Sequence, residues 1–232
     1  MPPTADEVLQ VTQTAVSIFQ GLGLSCCLFG SVASYIYGVA RPPNDADIVV
    51  LTSVYSQEEL KELLVGTDPT FYLVVSENLA APYRVLWYRL SKSEYQIARP
   101  FEDCKVDILT PGTLNIPDVP LESVGLRQGL PVMPLIPQLL LKVQGWEDHR
   151  RSHRMDMRAK VPVDIKDVDS LVDVAVREKA KLGESGLQEW FSEEVALQLK
   201  RQVADFVETA SRRGPHKWRR LGLGEREVVQ SD

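Results

Sequence analysis

Two aspartates separated by one residue stand at the start of a strongly apolar segment. Asp45 and Asp47 precede residues 48–51, an aliphatic run that is typical of a buried strand. Because side chains alternate between the two faces of a strand, both carboxylates project to the same side. Like charges that close repel each other unless a cation lies between them, and hard oxygen ligands suit Mg²⁺ or Mn²⁺. The alternative is a strand-entry turn with two exposed aspartates. The pair alone does not distinguish this turn from a metal site.

Upstream, a glycine and a serine lie between a predicted strand, residues 25–29, and a predicted helix, residues 32–39. Gly30 permits a close approach of the backbone to a ligand, and the helix N-terminus offers free N–H groups to a phosphate. Ser31 adds a hydroxyl donor. The pair therefore predicts a phosphate-binding turn, with an ordinary turn and N-cap as the alternative.

A third aspartate, Asp107, interrupts a predicted strand over residues 105–109. Its neighbours Val106 and Ile108 are apolar and would face the opposite side of the sheet. A carboxylate at such a position needs a partner to offset its burial cost. A neighbouring strand that carries metal-bound carboxylates would supply this partner, so we expect Asp107 to converge with the first two aspartates.

Together these features are similar to the signature of the nucleotidyltransferase superfamily. Gly30 and Ser31, then Asp45 and Asp47 before an apolar strand, and Asp107 on a later strand occur in the order that this superfamily uses. Its members include antibiotic nucleotidyltransferases, the small bacterial enzymes of toxin–antitoxin pairs and the poly(A) polymerases. The resemblance implies a nucleotidyltransferase-type mixed sheet flanked by helices, of the α/β (α+β) class, followed by a helical C-terminal lobe.

One part of the motif also resembles a particular branch of the superfamily. Arg41, Asp45 and Asp47 match the Arg-x-Thr-x-Asp-x-Asp version of the toxin-type and aminoglycoside-type enzymes, with Pro43 in place of the threonine. The motifs as a whole lie within residues 24–110.

The resemblance implies the transfer of a nucleoside monophosphate from a nucleoside triphosphate, with ATP as the expected donor, to a hydroxyl acceptor. Asp45 and Asp47 would bridge two Mg²⁺ or Mn²⁺ ions, and Asp107 would complete the site that activates the acceptor hydroxyl. Nucleotide contacts are implied for five residues: Gly30, Ser31, Arg41, Lys142 and Lys166. An exposed surface role is the alternative for the three cations among them.

Two further groups of residues could bind a metal ion or a substrate. His149 and His153 have the spacing of a zinc pair on a helix, but the cations crowded into residues 146–160 disfavour a metal ion. We interpret residues 146–160 as a mobile, polar loop that faces the substrate. Four aromatic residues are candidates for stacking on a base or for core packing: Tyr35, Tyr37, Trp87 and Tyr88.

Regular elements must position these side chains, and the first half of the chain alternates between helical and strand-like patterns. Predicted strands cover residues 25–29, 45–51, 71–75, 84–88 and 105–109, and predicted helices cover residues 8–19, 32–39 and 57–65. A proline-punctuated stretch between Pro111 and Pro137 is predicted to connect the halves along the surface. Further helices are predicted over residues 136–146, 164–182 and 187–211. We expect a nucleotidyltransferase core over residues 1–115 and a mainly helical lobe with a basic tail over residues 116–232.

Charge and composition limit the partners. The net charge of −6 does not favour a polyanion in general. A basic run near the C-terminus is predicted to be a solvated, poorly ordered tail, with an RNA-guiding patch as the alternative: Arg212, Arg213, Lys217, Arg219 and Arg220. No apolar run is long enough to span a bilayer, no signal-peptide pattern is visible, and three cysteines do not indicate a disulfide framework. We expect a cytoplasmic location.

Three functions follow as hypotheses. The first is a metal-dependent enzyme that modifies a hydroxyl on a small molecule or a protein, and the presence of all three carboxylates favours it. The second is a non-catalytic module that binds a nucleotide or a protein in the same pocket. The third is a nucleotidyltransferase directed to RNA by the basic run.

Overall fold

The computed structural model describes residues 2–76, 83–90 and 103–223. The strands are β1 (Cys26–Leu28), β2 (Asp45–Val50), β3 (Phe71–Val75), β4 (Arg84–Arg89), β5 (Asp103–Leu109), β6 (Gly125–Arg127) and β7 (Leu130–Val132). The helices are α1 (Ala5–Gly21), α2 (Gly30–Ile36), α3 (Gln57–Thr67), α4 (Leu135–Arg151), α5 (Met155–Arg158), α6 (Val161–Arg177), α7 (Glu193–Thr209) and α8 (Pro215–Arg220). Within the described residues, no helix is both long enough and apolar enough to cross a membrane.

The chain packs as two compact units. The first comprises residues 1–36 and 40–133, and the second comprises residues 37–39 and 134–232. The short segment 37–39, which connects α2 to the loop before β2, therefore belongs to the second unit. The first unit runs to Met133, past the expected boundary at residue 115, because β6 and β7 join its sheet.

The strands of the first unit form one mixed sheet in the order β3-β4-β5-β2-β1-β7-β6. β2 pairs with β5, and β1 with β7, in parallel, whereas the other neighbouring strands are antiparallel. The predicted α/β class with a mixed sheet is confirmed. The parallel pairing of β2 with β5 sets Asp47 directly opposite Asp107.

Two capped helices cover one face of this sheet. At the start of α1, Thr4 Oγ1 accepts a hydrogen bond from the N–H of Glu7, and the Glu7 carboxylate accepts one from the N–H of Thr4. Ser56 and Glu59 repeat this capping box at α3. The helices pack on β2, β3 and β5, where the side chains beneath them are almost fully buried: Phe71, Leu86, Cys104, Val106 and Ile108. The opposite face carries the aspartates.

The proline-punctuated connection contains a hairpin, so the prediction of a surface connection is wrong for residues 125–132. Gln128 and Gly129 have φ of 51° and 78°, which gives the two-residue turn whose twist suits a hairpin. The second strand of the hairpin, β7, then lies parallel to β1, with Leu28 opposite Val132. Both side chains are fully buried, so this part of the connection completes the core.

The second unit is helical, as expected. Helix α4 packs against α6 and α7. Trp146 meets Phe206 edge-on with 4.9 Å between ring centroids, and Phe206 meets Trp218 with 5.8 Å. Each of these rings is buried, and edge-to-face pairs of this kind stabilise a core beyond the area they bury.

The basic run near the C-terminus is folded, so the prediction of a poorly ordered tail is wrong for residues 212–223. Helix α8 buries Trp218 completely. Asp173 of α6 holds two of the cations, with Arg213 Nε at 2.8 Å and Lys217 Nζ at 2.5 Å from its carboxylate oxygens. Exposed cations remain at Arg212, Arg219 and Arg220.

Candidate active site

Three aspartates converge on the face of the sheet opposite α1 and α3. Asp45 and Asp47 lie on β2, and Asp107 lies on the adjacent strand β5. Each is half-buried, and one carboxylate oxygen from each lies within 4.8 Å of the other two. The expected convergence is therefore present, because the apolar neighbours Val106 and Ile108 face the core and turn Asp107 to the other side.

The turn at Gly30 and Ser31 holds the β2 carboxylates in place. The N–H of Ser31 donates to Asp47 Oδ2 at 3.1 Å, and the Ser31 hydroxyl donates to Asp45 Oδ1 at 3.0 Å. Gly30 has a φ of +66°, and a Cβ there would lie only 2.7 Å from Asp47 Cγ. Only glycine fits this position, because both the conformation and the space exclude a side chain.

A lysine that the sequence analysis did not single out completes the cluster. Lys105 Nζ lies 2.6 Å from Asp107 Oδ2. Burial opposes the charge on Lys105, but the carboxylates of Asp107, Asp45 and Asp47 outweigh it and raise the pKa of this lysine. The alternation along β5 was the available signal, since Lys105 lies two residues before Asp107 and on its face.

The predicted nucleotide-binding cations lie at three places. Arg41 is half-buried in the loop before β2. Lys142 lies on α4, where its Nζ is 3.6 Å from Asp167 Oδ2 and its side chain is 17% exposed. Lys166 is exposed on α6. The structure thus brings Gly30 and Ser31 to the carboxylates, and it places Lys142 and Lys166 in the second unit.

The segment of residues 146–160 is mostly helical, so its interpretation as a mobile loop is wrong. Helix α4 continues through Arg151, and α5 follows after a short break. His149 Nδ1 lies 2.7 Å from Asp164 Oδ2, which ties α4 to α6. Burial raises the pKa of Asp164 even though the hydrogen bond with His149 lowers it. His153 is exposed between the two helices.

The candidate aromatic residues fall on different faces. Tyr88 lies on the core face, with its ring 4.8 Å from that of Phe71, and Tyr37 is buried in the second unit. Tyr35 is half-buried on α2. Trp87 is half-buried on the face that carries the aspartates, because it pairs with Lys105 across the β4–β5 ladder.

The three thiols are buried and free. Burial raises the pKa of Cys104 to about 12, and the negative charge of Asp45 adds to the effect. Burial likewise raises the pKa values of Cys26 and Cys27 to about 12. Because the thiolate is the reactive form, these residues suit a core role.

Comparisons with known proteins identify the type of fold. No model of a known protein family matches the chain, and no curated protein sequence does. Among solved structures, an antigenic nucleotidyltransferase-like protein from Paracoccidioides brasiliensis matches with a TM-score of 0.65 and 16% identity, covering 96% of this chain and 95% of its own. Terminal uridylyl transferase 4 from Trypanosoma brucei, solved with bound GTP, aligns with a TM-score of 0.34 and 13% identity, over 90% of this chain and 66% of its own. The first similarity extends over nearly the whole of both chains, and it shows that this protein has a nucleotidyltransferase-type fold.

Proposed function

We propose that the protein is a metal-dependent nucleotidyltransferase that transfers a nucleoside monophosphate from a triphosphate to a hydroxyl on a small molecule or a protein. The observation that carries the proposal is the convergence of three carboxylates from Asp45, Asp47 and Asp107 within 4.8 Å. A nucleotidyltransferase-type fold around this cluster supports the same reaction class.

The donor set fits Mg²⁺ or Mn²⁺. All three ligands are carboxylates, and hard oxygen donors are what these ions prefer. Ser31 fixes Asp45 and Asp47 by two hydrogen bonds, so their oxygens are already oriented. Divalent ions, when bound, would offset the charge of the phosphates and stabilise the attacking and leaving oxygens of the transfer.

Each residue has a distinct role in this proposal. Asp45, Asp47 and Asp107 would hold the metal ions, and Asp107 would also activate the acceptor hydroxyl by accepting its proton. Gly30 leaves room for the carboxylate of Asp47, and it keeps the backbone of the turn open to the phosphates. Arg41, Lys142 and Lys166 are proposed contacts of the triphosphate, with ATP as the donor to test first.

A second candidate is a module that binds a nucleotide without transferring it. The ion pair between Lys105 and Asp107 favours this alternative, because it occupies the carboxylate that would activate the acceptor. An RNA-directed enzyme has less support, since Asp173 already forms ion pairs with two cations of the basic run. The buried free thiols agree with a cytoplasmic setting, where the medium is reducing and ATP is available.

The test is a calorimetric titration of Mg²⁺ or Mn²⁺ with a slowly hydrolysed ATP analogue. We compare wild type, the Asp45→Asn/Asp47→Asn double variant and Asp118→Asn, a control at an exposed aspartate of the same unit. Metal-dependent binding should vanish only in the double variant. Failure of wild type to bind any of the four common triphosphates contradicts the proposal.

An assay of pyrophosphate release separates the two candidates. Release from the triphosphate in the presence of a hydroxyl acceptor identifies the transferase. Tight, metal-dependent binding without release across an acceptor screen identifies the non-catalytic module. Incubating candidate acceptors with a labelled triphosphate identifies the product directly, because the label is transferred to the acceptor.

A further inference from the structure

A row of side chains crosses four strands on the face that carries the aspartates. Asp45 on β2 lies opposite Lys105 on β5, Lys105 lies opposite Trp87 on β4, and Trp87 lies opposite Tyr72 on β3. Directly paired residues of a sheet project to the same face. The row therefore extends from the carboxylate cluster to the edge strand of the sheet.

This face differs from the core face of the same strands. On the core side of β4, the guanidinium of Arg84 bonds to Glu58 of α3 at 2.9 Å, and Leu86 is fully buried. On the other side, Tyr72 and Trp87 are half-buried, and the side chain of Lys105 is 39% exposed. An indole and a phenol thus lie on a solvent-accessible surface beside the carboxylates.

The polar neighbours of Trp87 are bonded to one another. Arg89 lies over the Tyr72 ring at 5.2 Å, the Tyr72 hydroxyl hydrogen-bonds to Asp103, and Lys105 pairs with Asp107. Among the residues that the structure describes, no aromatic ring or cation packs on Trp87. With respect to the described residues, the indole therefore presents a flat apolar surface among polar side chains that contact one another.

We propose that Trp87 is the stacking surface of the acceptor subsite, and that the acceptor is a small, uncharged, hydroxylated ring such as a sugar or a nucleoside. This inference rests on the proposed transferase function. Asp107 is the diagonal neighbour of Trp87, and such positions lie about 7–8 Å apart. A single ring stacked on the indole therefore brings its hydroxyl within reach of the Asp107 carboxylate.

The charges around Trp87 determine the class of acceptor. Within the part of the sheet that the structure describes, the cations beside Trp87 are Lys105, which pairs with Asp107, and Arg89, which lies over the Tyr72 ring and opposite Asp103 on the ladder. Because these described cations already lie against Asp107, Tyr72 and Asp103, they leave little positive charge for a phosphate backbone, which opposes binding of a polynucleotide. A neutral ring does not need this charge and gains the stacking energy that an indole offers.

Fluorine NMR of the full chain labelled with 5-fluorotryptophan tests the proposal. The chain has four tryptophans, and Trp87→Phe identifies the resonance of Trp87 by its loss. Methyl glycosides and nucleosides are titrated separately, with Mg²⁺ and the slowly hydrolysed ATP analogue present. We expect one class of ring to shift the Trp87 resonance saturably, while the buried Trp146 and Trp218 stay unchanged.

Variants then establish that the ring stacks on the indole. For the ring that shifts Trp87, calorimetry should show binding about tenfold weaker in Trp87→Leu. Trp87→Phe keeps an aromatic face and should retain most of the affinity. Binding of the ATP analogue with Mg²⁺ should be the same in all three proteins.

Three results overturn the inference. One is the absence of any saturable shift with both classes of ring, and another is wild-type affinity in Trp87→Leu. The third is a shift caused by a short oligoribonucleotide alone, which would indicate a polynucleotide acceptor. In each case, intact binding of Mg²⁺ and the ATP analogue leaves the proposed transferase standing, whereas its loss in wild type removes that function as well.

Discussion

Lys105 and Asp107 form an ion pair inside the carboxylate cluster, with 2.6 Å between Nζ and Oδ2. The two residues lie on the same strand and the same face, and Asp45 lies opposite the lysine on the neighbouring strand β2. This ammonium supplies positive charge to three carboxylates that repel one another. A divalent ion that enters the cluster must therefore compete with Lys105.

Replacing this lysine should affect the metal-free and metal-bound proteins in opposite directions. Lys105→Met removes the charge, so we expect the free energy of unfolding without metal to fall by about 0.2–1 kcal/mol. The affinity for Mn²⁺ should rise about fivefold, because the competing charge is gone. Thermal unfolding with and without Mn²⁺, together with calorimetry, measures both effects. Lys105→Arg keeps the charge and is the control, and a Mn²⁺-induced shift no larger than that of wild type would contradict this assignment.

Asp107 should matter to transfer more than to nucleotide binding. Asp107→Asn keeps the shape of the side chain but removes the carboxylate that we propose as the base for the acceptor hydroxyl. We expect the rate of pyrophosphate release to fall about a hundredfold to ten-thousandfold. Binding of the ATP analogue with Mg²⁺ should persist through Asp45 and Asp47. A variant that releases pyrophosphate at the wild-type rate would remove Asp107 from the chemistry.

Gly30 should be irreplaceable for a reason that goes beyond its backbone conformation. Gly30→Ala forces a Cβ against Asp47, whereas Gly23→Ala meets nothing within 4 Å at a similar φ of +74°. The control should lose about 1 kcal/mol of stability from the left-handed conformation alone. Gly30→Ala should lose more, about 1–3 kcal/mol, and should also weaken Mn²⁺ binding. Urea unfolding and Mn²⁺ titration of both variants measure these effects. Equal losses of stability in the two variants, with unchanged Mn²⁺ binding, would contradict the steric explanation.

The C-terminal helix should be held less firmly in acid, because Asp173 forms ion pairs with Lys217 of this helix and with Arg213 just before it. Burial alone would raise the pKa of Asp173, but hydrogen bonds from Lys217 and Arg213 outweigh burial and lower it. A lowered pKa in the folded state adds stability at neutral pH, and this stability is lost as the pH falls through the folded pKa. Asp173→Asn should therefore be less stable than wild type at pH 7, by about 0.2–1 kcal/mol for each exposed pair.

The pH dependence provides the check for that variant. The difference in stability between Asp173→Asn and wild type should shrink below the ordinary pKa of an aspartate. Hydrogen exchange of the α8 amides should be faster in Asp173→Asn at pH 7. A difference that stays constant down to strongly acidic pH would show that the two ion pairs do not anchor α8.

Much of the candidate site follows from local rules. The alternation of side chains along a strand is sufficient to put Asp45 and Asp47 on one side and to turn Asp107 away from Val106 and Ile108. The same rule puts Lys105 on this face, because it lies two residues before Asp107 on β5. The parallel pairing of β2 with β5 joins segments that are distant in sequence, and only the folded sheet reveals it.

Other parts of the fold depend on tertiary contacts, and the local sequence pattern there is too weak to predict them. β6 and β7 have three residues each, too few for a periodic pattern, and their turn uses Gln128 where asparagine or aspartate is usual. The basic residues of α8 gave a strong signal for an exposed tail. Trp218 lies among these basic residues, and its burial beside Phe206 holds the segment in the folded structure.

The membership of residues 37–39 in the second unit has a consequence for genetic dissection. Tyr37 and Val39 are each only 5% exposed, and they lie between the turn that carries Ser31 and the strand that carries Asp45. A fragment that ends at Met133 would strip these two apolar side chains of the unit that buries them. We therefore expect a fragment of residues 1–133 to be less stable than the same unit in the full chain, because the burial of Tyr37 and Val39 depends on residues that the fragment lacks.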